Sequence, residues 1–128
     1  MNSLYTIKQP DFRFCDERGC LNQLVHDGYK QINVLESYSG VARGGHYHKE
    51  TKEAFFIVSG SVEVSLMKDD EAETVLFSKN DFFEIAPYVV HSMFFPEDCV
   101  MLAMYDKPVE RADGSKDIYS ADKGKQHV

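Results

Sequence analysis

Short apolar runs cut off by turn residues fill this chain, and that rhythm leaves little room for helix. Ser61-Val62-Glu63-Val64-Ser65-Leu66-Met67 alternates cleanly, which puts Val62, Val64 and Leu66 on one face of a strand. Ala54-Phe55-Phe56-Ile57-Val58 is apolar throughout and short enough to be a buried strand, with Ser59-Gly60 as the turn that follows. Further strands are predicted over residues 19–25, 29–38, 73–77, 81–85, 90–95 and 100–105. His26-Asp27-Gly28, Lys68-Asp69-Asp70-Glu71, Pro87 and Pro96 supply the breaks. No stretch holds a long apolar period of 3.6 residues, so the pattern predicts an antiparallel, all-β sandwich or barrel.

A chain of 128 residues, 43% of them hydrophobic, fits one domain with a real core. We expect that domain over residues 1–106, with a charged C-terminal tail over 107–128 that is partly disordered or packed on the barrel or a partner. Only Ile118 and Tyr119 could anchor that tail. The formal net charge of -7 argues against a nucleic-acid partner, which needs a basic face. It still allows a phosphate-bearing small molecule held by one or two arginines. No apolar stretch approaches a bilayer-spanning length, and the first residues lack the layout of a secretion signal. Cys15, Cys20 and Cys99 are odd in number and unpatterned, so they read as filler in a cytoplasmic protein without a disulfide framework.

Chemical content concentrates in Arg43-Gly44-Gly45-His46-Tyr47-His48-Lys49-Glu50-Thr51-Lys52-Glu53. Residues i and i+2 of a strand share a face, so His46 and His48 can converge, and Glu53 reaches the same point if the chain turns after His48. His91 lies downstream on another apolar run. Three His and one Glu make a ligand set that suits a divalent metal such as Zn, Fe, Ni or Mn. Nothing calls for an organic cofactor.

The segment Gly40 to Gly60 resembles the first cupin motif: Gly40, His46, His48, Glu53 and Gly60 match its five positions without a gap. The second cupin motif is matched less fully. Asn80 stands at its first Gly, Pro87 is displaced by one, Tyr88 replaces its second Gly, and Phe95 stands at its closing Asn, while His91 keeps its distance from Asn80. The resemblance implies a double-stranded β-helix, the antiparallel jelly-roll barrel. Within cupins the chain is similar to small sugar-nucleotide enzymes. Asp16-Glu17-Arg18-Gly19-Cys20-Leu21, Arg43 to Lys49, Tyr105-Asp106-Lys107-Pro108 and Asp117-Ile118-Tyr119 look like segments of dTDP-4-keto-6-deoxyhexose 3,4-ketoisomerases. Those enzymes usually lack the downstream ligand His, which here is His91. The complete set is similar instead to the zinc-bearing cupin domain of capsular-polysaccharide sugar epimerases.

The implied activity is a ketoisomerase or epimerase acting on a nucleotide-linked 4-keto-6-deoxy sugar in cell-surface polysaccharide synthesis. Such chemistry starts by removing a proton beside a carbonyl, which needs a base and a stabiliser for the enediolate. His46 and His48 are the candidate bases in a metal-free site. With metal bound, His46, His48, Glu53 and His91 become its ligands, and Tyr38 or Tyr47 could move the proton. Arg18 and Arg43 are candidates for the pyrophosphate, with a turn-side ion pair as the alternative for both. Tyr47 and Tyr38 are candidates to stack on base or sugar. Two other classes stay open: a metal-dependent dioxygenase with three His and one Glu, and a non-catalytic small-molecule-binding cupin. A homodimer that hides the sheet edges is the expected assembly.

Overall fold

In the computed structural model, which describes residues 4–121, twelve strands and no helix follow one another along the chain. They are β1 (Tyr5–Ile7), β2 (Phe12–Asp16), β3 (Gly19–Gln23), β4 (Gln31–Ser37), β5 (Ala42–Tyr47) and β6 (Glu53–Ser59). The second half adds β7 (Ser61–Lys68), β8 (Glu71–Ser78), β9 (Phe82–Ile85), β10 (Val90–Phe94), β11 (Cys99–Tyr105) and β12 (Tyr119–Ser120). One five-stranded sheet has the order β1-β9-β6-β11-β4, a second the order β12-β5-β10-β7-β8, and β2 with β3 forms a separate hairpin. The paired strands are antiparallel, as expected for a cupin jelly roll.

The alternation of β7 is realised: Val62, Val64 and Leu66 are buried while Glu63 and Ser65 face outward. They meet Phe55, Ile57, Phe83, Ile85 and Met101 of the other sheet in one core. Phe77 and Phe83 stack with centroids 3.7 Å apart, and Phe55 lies 5.3 Å from Phe83. Each such ring removes enough apolar surface from water to contribute about 1.5–3 kcal/mol. The unbroken apolar run of β6 has its own cause. Phe55 and Ile57 face the core, while Ala54 and Phe56 join Phe82 and Met104 in a second cluster beneath Leu24, Val25 and Tyr29. A strand covered on both faces needs no polar alternation.

Three strands were not expected: β1, β2 and β12 are each short, and their pairing rather than their sequence defines them. The cysteines also require a correction. Cys15 and Cys20 face each other across the β2–β3 hairpin and form a disulfide, leaving Cys99 as the free, buried cysteine. The chain past Tyr105 stays on the barrel as far as Ala121, and the expected disordered end lies outside the described residues. Among the described residues no helix is long and apolar enough to cross a membrane.

Two departures from the second cupin motif have a backbone explanation. Asn80 and Tyr88 stand where the motif has Gly, and both keep a left-handed backbone, with φ of 76° and 70°. Asn tolerates that region, whereas for Tyr it is an outlier that costs on the order of 1–2 kcal/mol. The amide of Tyr88 donates to the carbonyl of His48 at 2.7 Å, which holds the strained turn beside the histidine pair.

Candidate active site

His46 lies near the end of β5 and His48 one residue past it, so both imidazoles turn inward. After a short turn the chain re-enters the barrel at Glu53, the first residue of β6. On β10, His91 pairs directly with His46. The donor atoms of His46, His48, Glu53 and His91 thus lie within 4.8 Å of one another, and the group can hold a metal ion. Sequence spacing anticipated all four.

Hydrogen bonding fixes how these side chains present their nitrogens. His48 Nδ1 donates to the main-chain carbonyl of Asp117 at 2.6 Å, and His91 Nδ1 to that of Val89 at 3.1 Å. A carbonyl only accepts, so Nδ1 carries the proton in both rings and Nε2 is turned to the interior. There both Nε2 atoms meet one carboxylate oxygen, Glu53 Oε1, at 2.9 Å from His48 and 3.2 Å from His91. Only the His48 contact has hydrogen-bond geometry, and His91 Nε2 is a buried atom without a hydrogen-bond partner among the described residues.

Two ring nitrogens and a carboxylate all offering lone pairs cannot share a buried point without a positive charge between them. Burial alone would push Glu53 up, but the His48 and His91 rings outweigh it and hold its carboxyl far below the usual range. Burial likewise pushes His48 down, and the Glu53 carboxylate and the Asp117 carbonyl more than reverse that. A proton fills the role without metal. A divalent cation fills it as well, since the Glu53 oxygen lies 2.9 Å and 3.2 Å from the two Nε2 atoms, close to the edges of a coordination shell of radius about 2.1 Å.

A cavity of about 390 Å³ opens onto this cluster, within the range of small-molecule sites. It is lined by Leu35, Arg43, Gly44, His46, Glu53, Phe55, His91, Met93, Tyr105 and Ile118. Tyr105 stands against Glu53 and edge-on to the His48 ring at 5.8 Å. Burial, and then Glu53, push its phenol well above the ordinary value, so it remains protonated. Arg43 sits at the mouth, with Nε donating to Ser37 Oγ at 2.9 Å and Nη2 to the Glu36 carbonyl at 3.3 Å.

Other candidate residues are placed elsewhere. Tyr38 follows β4 on the surface, 77% exposed, and is absent from the cavity wall. Tyr47 points to the opposite face of β5 from His46, stacked on Tyr119 at 5.6 Å and Tyr88 at 6.2 Å. Arg18 caps the β2–β3 hairpin, bound to Asp16 at 2.7 Å, which is the turn-side ion pair. Conversely, Tyr105 and Ile118 line the cavity unforeseen. The signal for Tyr105 was its place opposite Glu53 on the neighbouring strand, and a register of that kind is not written in one sequence.

The family described as polysaccharide biosynthesis C-terminal domain matches residues 14–105. No curated protein matches the chain. Among solved structures, a double mutant of the QdtA 3,4-ketoisomerase from Thermoanaerobacterium thermosaccharolyticum, in complex with TDP, is 25% identical. The match covers 84% of this chain and 83% of that one, with a TM-score of 0.73. The TDP-fucose-3,4-ketoisomerase WlaRA of Campylobacter jejuni is 22% identical over 84% and 83%, with a TM-score of 0.69. The rmlC epimerase of Mycobacterium tuberculosis is 16% identical over 91% of this chain and 68% of that one, with a TM-score of 0.72. The last two likenesses establish the shared cupin fold.

Proposed function

This chain belongs to the polysaccharide biosynthesis C-terminal domain family, and we propose that it is a ketoisomerase or epimerase of nucleotide-linked 4-keto-6-deoxy sugars. One observation carries the reading: His46, Glu53 and His91 line a cavity whose mouth holds Arg43. The likeness to a 3,4-ketoisomerase solved with TDP supports the substrate class.

In this reading Arg43 takes the pyrophosphate, its guanidinium oriented by Ser37 and the Glu36 carbonyl. The sugar enters with its 4-keto carbon beside the imidazoles. His46 faces the cavity, whereas His48 stands behind Glu53 and is absent from the cavity wall. In the metal-free site His46 therefore removes the proton at C3, and the electron pair left behind forms the enediolate with O4. Returning a proton to C4, while the O3 proton passes to O4, moves the carbonyl to C3. Returning it to the other face of C3 gives the epimer. Neither outcome changes the oxidation state of the molecule. The protonated Tyr105 and the aromatic floor at Phe55 keep water out while the charge is present.

His46, His48, Glu53 and His91 would hold a divalent cation, with Zn, Fe, Ni or Mn as the matching ions. When bound it supplies Lewis-acid stabilisation of the enediolate oxygens. The unpartnered Nε2 of His91 supports this fit.

The working unit in this reading is a homodimer in the cytoplasm. Phe12, Phe14 and Leu21 are exposed on one face of the β2–β3 hairpin, and Ile32 and Val34 on the outer face of the edge strand β4. Both halves of an apolar contact are thus present on one chain, so a second copy is the natural occupant.

The test is incubation with dTDP-4-keto-6-deoxyglucose in D2O, followed by proton NMR. The reading expects solvent deuterium at C4 of a 3-keto product, or at C3 of an epimeric one. Unlabelled substrate recovered intact would reject it, and oxygen consumption by the iron-loaded protein would replace it with a dioxygenase.

A further inference from the structure

The segment after β11 does more than trail over the barrel. Ile118 enters the cavity wall, Tyr119 and Ser120 pair with Tyr47 and His46, and the Ala121 amide donates to the Gly45 carbonyl at 2.9 Å. Ahead of these anchors stands Asp117, 1% exposed, its own amide donating to the Val109 carbonyl at 2.8 Å.

A carboxylate this deep is costly to desolvate unless several donors meet it. Here Oδ1 accepts from the Lys49 amide at 2.8 Å, and Oδ2 from the Glu50 amide at 2.9 Å and the Thr51 hydroxyl at 2.8 Å. Arg111 Nη2 adds charge 3.5 Å from Oδ1. The three residues that follow His48 are therefore tied to one side chain. The same residue's main-chain carbonyl accepts from His48 Nδ1. His48 is gripped on both sides by a single residue remote in sequence, one through its ring and the other through the turn it begins.

We propose that Asp117 is a positioning residue: its carboxylate pins residues 49–51 and thereby its carbonyl, which fixes the tautomer and orientation of His48 against Glu53. Nothing in this arrangement serves the tail alone, because Tyr119, Ser120 and Ala121 already anchor it to β5. The chemistry at the cavity then depends on a residue that never touches substrate. Its kinetic consequence rests on the sugar-nucleotide reading above, whereas the state of the His48 ring does not.

The test compares wild type, Asp117→Ala and Asp117→Asn at one fixed pH, with folding followed by circular dichroism. Ring nitrogens are read by long-range proton–nitrogen-15 NMR, with His48 assigned through His48→Asn. Wild type is expected to keep a proton fixed on His48 Nδ1 whatever the state of Nε2, and Asp117→Ala to lose that fixed proton. With dTDP-4-keto-6-deoxyglucose, kcat should fall about 100-fold in Asp117→Ala with KM within threefold, and Asp117→Asn should recover to within about tenfold of wild type. A folded Asp117→Ala with unchanged His48 resonances or wild-type kcat overturns the proposal. If the alanine variant does not fold, Asp117→Asn decides: unchanged resonances and kcat overturn it, and a shifted ring with lowered kcat upholds it. Absence of wild-type turnover would sink the sugar reading, and the ring resonances would still decide the role of Asp117.

Discussion

Arg43 and His46 line the same cavity although they stand three positions apart on one strand. In a regular strand an odd separation sends two side chains to opposite faces. Here Arg43 pairs with Met93 and Gly44 with Ser92, but His46 pairs with His91, so Gly45 is the extra residue of a β-bulge. Gly44 and Gly45 have φ of 106° and 77°, where other residues are strained. A Cβ on Gly44 would lie 2.8 Å from the His91 carbonyl oxygen and from Ser92 Cα. Gly44→Val must therefore push β5 off β10 and part His46 from His91, and turnover should fall at least 100-fold. Gly45→Ala meets open space and should cost only the backbone strain, about 1–2 kcal/mol in a denaturant titration.

Glu53 is the charge that the two imidazoles are built around. Removing it leaves His48 and His91 buried without their partner, and Glu53→Ala should lose about 3–5 kcal/mol of unfolding free energy. Urea titration checks this, and a loss under 1 kcal/mol would show that the pair is structurally idle.

Opposite shifts in the same pair set the pH dependence of the metal-free protein. Glu53 is held below its ordinary 4.5, so its stabilisation is present above that pH and is lost as pH falls through the depressed value. His48 is raised above its ordinary 6.5, so its stabilisation is complete below that pH and is lost as pH rises through the raised value. Both contributions are whole between pH 4.5 and 6.5, and the melting temperature after EDTA treatment should peak there. A peak above pH 8 would contradict the assignment.

Divalent metal competes with the proton for the same point. Titrating Zn2+ into EDTA-treated protein should raise the melting temperature, by the equivalent of about 2.7 kcal/mol at a hundredfold excess over Kd. His91→Ala removes the buried unpartnered nitrogen and should abolish most of that shift. An equal shift in the variant would place the ion elsewhere.

The exposed face of the hairpin gives a test of assembly. Phe14→Asp combined with Leu21→Asp puts charge on two paired apolar positions of β2 and β3 without touching the barrel core. Sedimentation should show wild type as a dimer and the double variant as a folded monomer. Two monomers would leave the apolar face to another partner.

The four-residue cluster was legible because most of it is a covalent pattern. His46 and His48 share a face by strand geometry, and the short turn forces Glu53 back beside them. Arg43 lines the cavity, and only the glycine pair after it betrays the bulge that brings it there. Tyr38 falls past the end of β4, and Tyr47 lies on the outward side of β5, as its place between His46 and His48 dictates. The Cys15–Cys20 bond was missed although the two residues sit symmetrically about the turn at Glu17-Arg18, because β2 was not read as a strand. Tyr105 and Asp117 reach the site through contacts distant along the chain, and no local pattern encodes those.

The contact between the His48 ring and residue 117 spans 69 positions. During synthesis, every strand from β1 to β11 emerges before that carbonyl does. A nascent chain can therefore close its barrel around an imidazole pair not yet locked in place. His48 thus takes its final orientation only once residue 117 has been made.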